Sequence, residues 1–213
     1  MEEVLELYEM EYNPKQPKVC FDEKSKQLLE QTHEPLPVQS GQVAREDHEY
    51  KRNGTVNLFV MVEPKAGYRH IIVTDQRTDQ DYARCIKWLV DEGYPDAEYI
   101  DVIQDNLNTH KAASLYETFE PAEARRILRK VHFHFTPKHA SWLNMAEIEI
   151  GVFEQQCLKA RIGDKATLIK QVQALETERN RKEARIKWQF TNVMARAKLH
   201  RLYPTFDTLS ILV

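Results

Sequence analysis

The chain has 213 residues, of which 42% are hydrophobic and 30% are charged, and its formal net charge is −3 at pH 7. These values are typical of a globular protein long enough to bury a sizeable core, and no run approaches the eighteen apolar residues of a membrane-spanning helix. The acidic N-terminus is the opposite of a signal peptide, and three well-separated cysteines favour a reducing compartment over a disulfide framework or structural zinc.

The first part of the chain is predicted to form one helix and three strands. Apolar residues at helical spacing indicate a helix over 1–12, which the prolines at 14 and 17 end. The predicted strands are 19–22, 56–62 and 68–74. Residues 33–50 are predicted to form a loop, and Asn53-Gly54 is a turn signal. Because the connections are short, we expect these three strands to be antiparallel neighbours.

The second part is predicted to alternate helices with strands. Asp79 can cap a helix that Gly93 ends, and Ser141 can cap the helix that carries Glu147. Pro121 divides the helical region 111–130, because proline favours the first turn of a helix. The remaining elements are strands over 99–104 and 131–136 and a last helix over 165–183. This order predicts an α/β fold with a five-stranded mixed sheet flanked by helices.

Three acidic residues stand on neighbouring predicted elements. Asp105 comes just past the end of an apolar strand, where open α/β sheets keep their sites, Glu147 lies on the helix after the next strand, and Asp22 lies in the first strand. Such carboxylates suit hard divalent cations that act on phosphate. Spacing alone is weak evidence in a chain with 33 acidic residues, and Asp101 competes because it shares a strand face with Asp105.

Two segments carry a family resemblance. Q-D-N-L-N-T-H at 104–110 and T-P-K-H-A-S-W-L-N-M-A-E at 136–147 resemble the catalytic core of bacterial insertion-sequence transposases of the mariner superfamily. The stretches V-C-F-D-E-K-S at 19–25, R-N-G-T-V-N-L-F at 52–59 and W-Q-F-T at 188–191 add to the likeness, which runs from about residue 15 to about residue 204. Ala140 stands where the family commonly has glycine.

The resemblance implies a DDE enzyme with an RNase H-like fold. By motif position, the two catalytic aspartates fall on Asp22 and Asp105 and the glutamate falls on Glu147. These residues would hold two Mg²⁺ or Mn²⁺ ions for DNA strand cleavage and strand transfer, at TA dinucleotides by the family's habit. The implied partners are double-stranded DNA, at the element ends and the target, and a second copy in a homodimer. The implied location is the bacterial cytoplasm, at the nucleoid.

The domain organisation follows from the same likeness. We expect a helix and linker over 1–18, the catalytic domain over 19–204 and a tail over 205–213. The family's N-terminal helix-turn-helix region is expected to be absent, because the chain begins about twenty residues before Asp22. A truncated, non-catalytic remnant that binds DNA or a full-length transposase is therefore the alternative function. A structure-selective RNase H-like nuclease is a third, weaker hypothesis.

The C-terminal part of the chain is basic. Residues 159–201 contain twelve basic and four acidic residues. Such a segment suits DNA phosphates and is equally typical of a solvated helix face. The candidate DNA contacts are Arg179, Arg181, Lys182, Arg185 and Lys187.

Other residues near the motifs have simpler interpretations. Glu149 follows Glu147 by two residues, about 200° around a helix, and is predicted to face solvent. Glu23 should point to the strand face opposite Asp22, and Trp142 is predicted to anchor its helix in the core rather than to stack on a base. His110 is given a minor role in orienting the site. A zinc site is less favoured because it lacks an evident fourth ligand; its candidates are His132, His134 and His139.

Overall fold

The computed structural model describes residues 1–32, 49–107, 110–138 and 140–202. Seven α-helices lie within these ranges: α1 Glu2–Glu9, α2 Asp79–Trp88, α3 Ala112–Thr118, α4 Pro121–Leu128, α5 Ala146–Phe153, α6 Lys165–Arg181 and α7 Asn192–Lys198. Five strands alternate with them: β1 Lys18–Gln31, β2 Tyr50–Glu63, β3 Tyr68–Thr74, β4 Ile100–Gln104 and β5 Val131–Phe135. Three predictions fall wholly or mostly outside the described residues: the loop over 33–50, the zinc candidate His139 and the tail over 205–213. The bounds of the predicted domains stay a prediction.

The five strands form one mixed sheet in the order β3-β2-β1-β4-β5. The first three strands pair antiparallel, whereas β4 runs parallel to both β1 and β5. The predicted five-stranded mixed sheet is thus confirmed. The parallel part positions the candidate site, because the carboxyl ends of β1 and β4 point in the same direction.

Strands β1 and β2 are much longer than predicted. Each has 14 residues, and their pairing continues past Asn53-Gly54, which the sequence indicated as a turn. The register passes from Gln27 opposite Thr55 to Leu29 opposite Arg52, so Asn53 and Gly54 together face one residue of β1. Gly54 has φ of +94°, a conformation that favours glycine. The turn prediction is therefore wrong, and the glycine serves a β-bulge.

Helices cover both faces of the sheet. On one face, Val19, Phe21 and Val102 pack against α2, α3 and α4. On the other face, Cys20 and Ile103 pack against α1, the start of α5 and α7, while Val60 contacts a third apolar cluster formed with α5 and α6. Residues of β1 therefore alternate between two cores, so that successive side chains face opposite layers.

The helix starts differ from the predicted ones by a few residues. The capping residue of α2 is Thr78 rather than Asp79; its side chain accepts from the Asp81 amide in a capping box. Ser141 begins a 3₁₀ turn, Ser141–Leu143, and α5 starts after it. Pro121 begins α4 as predicted. Thr191 caps α7, a helix that the sequence did not predict.

Two further observations concern the chain as a whole. Among the described helices, none is both long enough and apolar enough to cross a membrane. All three cysteines are free thiols; Cys20 and Cys85 are buried and Cys157 is half-buried.

Candidate active site

The register of β1 and β4 brings Asp22 and Asp105 side by side. The last parallel pair of these strands joins Cys20 to Ile103. Asp22 follows Cys20 by two residues and is still within β1, and Asp105 follows Ile103 by two residues and comes directly after β4. Because neighbouring strands lie about 4.8 Å apart, the two carboxylates share one small region at the carboxyl end of the sheet.

Asn144 connects the Glu147 helix to the same region. Its side-chain amide donates to the main-chain oxygen of Phe21 at 2.8 Å, and its Oδ1 accepts from the amide of Ala146 at 3.1 Å. Phe21 precedes Asp22, and Ala146 is the first residue of α5. The buried Asn144 therefore holds the first turn of α5 against the strand that carries Asp22. Glu147 itself is exposed.

The pKa of Asp22 is raised by burial and by neighbouring carboxylates. Burial raises the pKa of Asp22, and the hydrogen bond that its Oδ1 accepts from the Glu23 amide at 2.8 Å opposes this. The negative charges of Asp105, Glu23 and Glu147 raise the pKa further, to about 7. A carboxyl group with such neighbours favours a bound proton or a bound cation over isolated negative charge.

A histidine lies between two of these acids. His110 is 1% exposed, and its Nε2 lies 2.8 Å from Oε2 of Glu23. Its Nδ1 lies 3.2 Å from the main-chain oxygen of Asp105 and 2.8 Å from Oδ1 of the same residue. Burial lowers the pKa of His110, but the contacts with Asp105 and Glu23 outweigh it and raise the pKa to about 9. The sequence predicts only a minor orienting role for His110, and no local pattern indicates its contact with Glu23, which is 87 residues away along the chain.

The predicted position of Glu149 is wrong. Glu149 is fully buried, and its carboxylate accepts from Nε and NH2 of Arg179 at 2.7 and 2.9 Å. Nε of the fully buried Arg69 lies 3.0 Å from the same carboxylate. The two glutamates of α5 do face different directions, as their spacing predicts, but Glu149 points to a buried ion-pair cluster instead of solvent. The signal available in the sequence was Arg69, a charged residue within an apolar strand.

Asp101, the alternative to Asp105 as a site residue, instead contacts a lysine and two histidines. It is 4% exposed, and its carboxylate lies 3.0 Å from His134 Nε2 and 3.3 Å from Lys18 Nζ. His132 lies 3.5 Å from it. His132 and His134, the zinc-candidate histidines in the described part of the chain, therefore both contact Asp101. Within the described ranges, no group of three His, Cys, Asp or Glu side chains could hold a metal ion.

The basic candidates divide into two kinds. Arg179 binds Glu149, as described above, and its side chain is 18% exposed. The other four, Arg181, Lys182, Arg185 and Lys187, are exposed. Arg185 lies 3.0 Å from Glu183 in a surface ion pair, which costs little to break.

Trp142 does not anchor its helix in the core, contrary to the prediction. It is 43% exposed. Its ring stacks on Trp188 with centroids 6.4 Å apart and meets Phe190 edge-on at 5.4 Å. The aromatic residues of the W-Q-F-T segment thus lie next to those of the S-W-L-N segment.

The donor set of Asp22, Asp105 and Glu147 fits a hard divalent cation in its chemistry. All three side chains are carboxylates, and the pKa of Asp22 is raised first by burial and then by nearby negative charges, which include those of Asp105 and Glu147. Glu147 is exposed at the start of its helix, and within the described part of the chain these three side chains do not lie in metal-ligand geometry.

Known families and solved structures show what the chain is similar to. No curated protein matches the sequence significantly. Residues 17–169 match the family model described as DDE superfamily endonuclease. Three solved structures are similar to the chain at 14% identity: the Mos1 transposase paired-end complex with the left transposon end, with TM-score 0.53, and the Mos1 mariner paired-end complexes with Mn and with Mg, with TM-scores 0.56 and 0.50.

These matches cover most of this chain but little more than half of the others. They extend over 78%, 85% and 85% of this chain and over 51%, 55% and 59% of the respective Mos1 chains. At this identity the likeness is one of fold, and it confirms the predicted RNase H-like architecture. The family model matches more than half of the chain, so the chain belongs to the DDE superfamily endonucleases.

Proposed function

We propose that this chain is the catalytic part of a transposase that cleaves DNA strands and joins them to a new target. One observation carries the proposal: the β1–β4 register brings Asp22 abreast of Asp105, at the carboxyl end of the sheet. The similar Mos1 structures are complexes with a transposon end, with Mn and with Mg, which supports DNA as substrate and divalent cations as cofactors.

In this proposal Asp22, Asp105 and Glu147 hold two Mg²⁺ or Mn²⁺ ions. When bound, such ions activate a water or a DNA 3′-hydroxyl and stabilise the leaving oxygen of an in-line displacement. Each protein group has a simpler task. Asp22 is fixed by strand pairing, Asp105 directly follows β4, and Glu147, on the helix held by Asn144, would complete the ligand set.

The exposed basic residues at the end of α6 and just after it are proposed to contact DNA phosphates. Arg181, Lys182, Arg185 and Lys187 remain open to solvent, whereas Arg179 is bound to Glu149. Reversing the charges of Arg181 and Lys187 should lower the salt dependence of DNA binding, because each lost phosphate contact removes about 0.9 from the slope of log K against log salt. Reversing Arg125, on α4, and Arg129, just after it, is the matched control, because both are exposed at the other face of the sheet. An equal slope for both double variants would mean that Arg181 and Lys187 are only solvated.

Cleavage and strand transfer are tested on a plasmid that carries the native element with both termini. The wild-type chain should nick the ends in Mn²⁺ or Mg²⁺, and sequencing of joined products should place insertions at TA dinucleotides. Sedimentation of the DNA complex tests the proposed homodimer. DNA binding with no metal-dependent cleavage would instead favour the truncated, non-catalytic alternative.

A further inference from the structure

His110 is the most completely enclosed ionisable group at the proposed site. The side chains of His110 and Glu23 are 0% and 1% exposed, whereas 29% of the Asp105 side chain is exposed. The three residues thus form a row that begins inside the protein at Glu23 and opens to solvent only at Asp105. We name this row the Glu23–His110–Asp105 clamp.

Aromatic packing fixes the orientation of the imidazole ring. Tyr82 stacks on it with ring centroids 4.9 Å apart and an interplanar angle of 26°, and Phe21 meets it edge-on at 5.4 Å. The hydroxyl of Tyr82 donates to Gln104 at 2.9 Å, and Gln104 is the last residue of β4. With its plane held in this way, the ring presents one nitrogen to each carboxylate.

Glu23 fixes the far side of the ring. Its side chain lies on the face of β1 opposite to Asp22, as its sequence position predicts, beside Phe21 and the ring of His110. Oε2 faces His110 at 2.8 Å, while Oε1 lies 3.5 Å from Arg77, which is half-exposed. The clamp therefore connects the back of the strand that carries Asp22 to the segment that carries Asp105.

Stability alone gives no reason for this arrangement. Removing three ionisable groups from water costs free energy that their mutual attraction only partly returns, and an apolar side chain between Tyr82 and Phe21 would avoid that cost. The clamp has another effect: Asp105 follows the end of its strand, where strand pairing no longer restrains it. The contacts of Nδ1 with the main-chain oxygen and with Oδ1 supply that restraint.

We infer that His110 is a positioning residue, which holds the Asp105 carboxylate ready to bind a divalent cation and is itself held by Glu23. The inference rests on the proposed function, because it concerns the same site. His110 does not bind the cation in this inference; it acts through Asp105. Groups that orient metal ligands commonly contribute 10- to 100-fold in metal affinity or activity.

Two amide variants separate the two ends of the ring. In His110→Asn the amide nitrogen takes roughly the place of Nδ1, which faces Asp105, and the contact with Glu23 is lost. In His110→Gln the longer side chain reaches the place of Nε2, which faces Glu23, and the contact with Asp105 is lost. Both variants remove the imidazole ring and its stacking on Tyr82, so a purely structural role predicts similar effects for both.

The experiment measures thermal melting of the full chain in a titration with Mn²⁺ alone, which requires no catalysis. We expect both variants to melt lower than wild type without metal. The Mn²⁺ concentration that gives half-maximal stabilisation should rise by about tenfold or more in His110→Gln and by clearly less in His110→Asn. Cleavage at saturating Mn²⁺ should recover more fully in His110→Asn.

The outcomes distinguish the inference from the proposed function. Equal Mn²⁺ midpoints in both variants, whether shifted or unshifted, would overturn the positioning role while leaving a wild-type metal response intact. A wild-type chain that Mn²⁺ does not stabilise at all would overturn the proposed function, and the inference with it. Glu23→Gln, which keeps a hydrogen-bonding group beside Nε2, should give a midpoint between those of wild type and His110→Gln.

Discussion

The side-chain amide of Asn144 and the main-chain oxygen of Phe21 are joined by a hydrogen bond of 2.8 Å between residues 123 positions apart. Each partner lies close to a proposed cation ligand, because Asp22 follows Phe21 directly and Glu147 follows Asn144 by three residues. One buried contact thus joins the strand that carries Asp22 to the helix that carries Glu147. The relative placement of two proposed ligands depends on an amide that is not among the proposed ligands.

Replacing Asn144 by Asp tests this contact. Asp has nearly the same size as Asn and keeps the oxygen that accepts from the Ala146 amide. Its second oxygen, however, replaces the donor that binds the main-chain oxygen of Phe21, so that two acceptors face each other. The free energy of unfolding should fall by about 1–3 kcal/mol, because a buried acceptor loses its donor, and more if the new carboxylate stays charged. Urea denaturation measures the change. Unaltered stability would show that other contacts hold α5.

Replacing Glu147 by Gln should separate catalysis from folding. Glu147 is exposed, so the melting temperature without metal should stay near that of wild type. Cleavage in Mg²⁺ should fall by orders of magnitude, and the stabilisation produced by Mn²⁺ should shrink, because one charged ligand is lost. Glu117→Gln, at an exposed glutamate of α3, is the matched control. Glu147 is not a ligand if both variants retain the full metal response.

Replacing Glu149 by Gln should destabilise the fold strongly. The substitution leaves the guanidinium of Arg69, which is fully buried, without its negative partner. Breaking a buried ion pair from one side costs about 3–5 kcal/mol. Arg179→Gln should cost less, because Arg69 still faces the carboxylate and Arg179 is partly exposed. Denaturant unfolding measures both variants, and a loss no larger than that of Glu117→Gln would contradict the buried cluster.

Glu63 should give the protein a pH-dependent stability. Burial raises the pKa of Glu63 from 4.5 to about 7, against the opposing effects of Tyr94 and Lys18. Between those values the folded chain holds a proton that the unfolded chain has released, so stability falls as the pH rises through this range and is constant above it. Glu63→Gln stays neutral and should match wild type near pH 5. At pH 8 it should be more stable by up to about 3 kcal/mol. Equal stability of the two proteins at pH 8, measured by urea unfolding, would refute the raised pKa.

Much of the sheet could be predicted because its signals are local. The apolar run before Asp105 and the alternation of Val131 to Phe135 each depend on a few adjacent residues, and both strands were found nearly to the residue. The Asn53-Gly54 signal was also local, but it reports only a backbone that favours positive φ. Whether such a backbone reverses the chain or forms a bulge depends on the partner strand, and β1 pairs on both sides of it.

The contacts that organise the site could not be predicted in this way because they join distant residues. His110 meets Glu23 from 87 positions away, and Arg69 of β3 meets Glu149 of α5. Helix geometry correctly separated the directions of Glu147 and Glu149. It could not identify which direction faced the interior, since that depends on Arg69 and on Arg179 in α6.

The pairing of Glu149 with Arg179 also sets an order of events during synthesis. A nascent chain that has left the ribosome only as far as the middle of α6 contains all three proposed cation ligands but not yet Arg179. In such a chain α5 would bury Glu149 against Arg69 alone, without its bidentate partner, which disfavours docking of that helix on the sheet. Docking of the helix that carries Glu147 therefore depends on α6, although all three proposed cation ligands precede Arg179 in the chain.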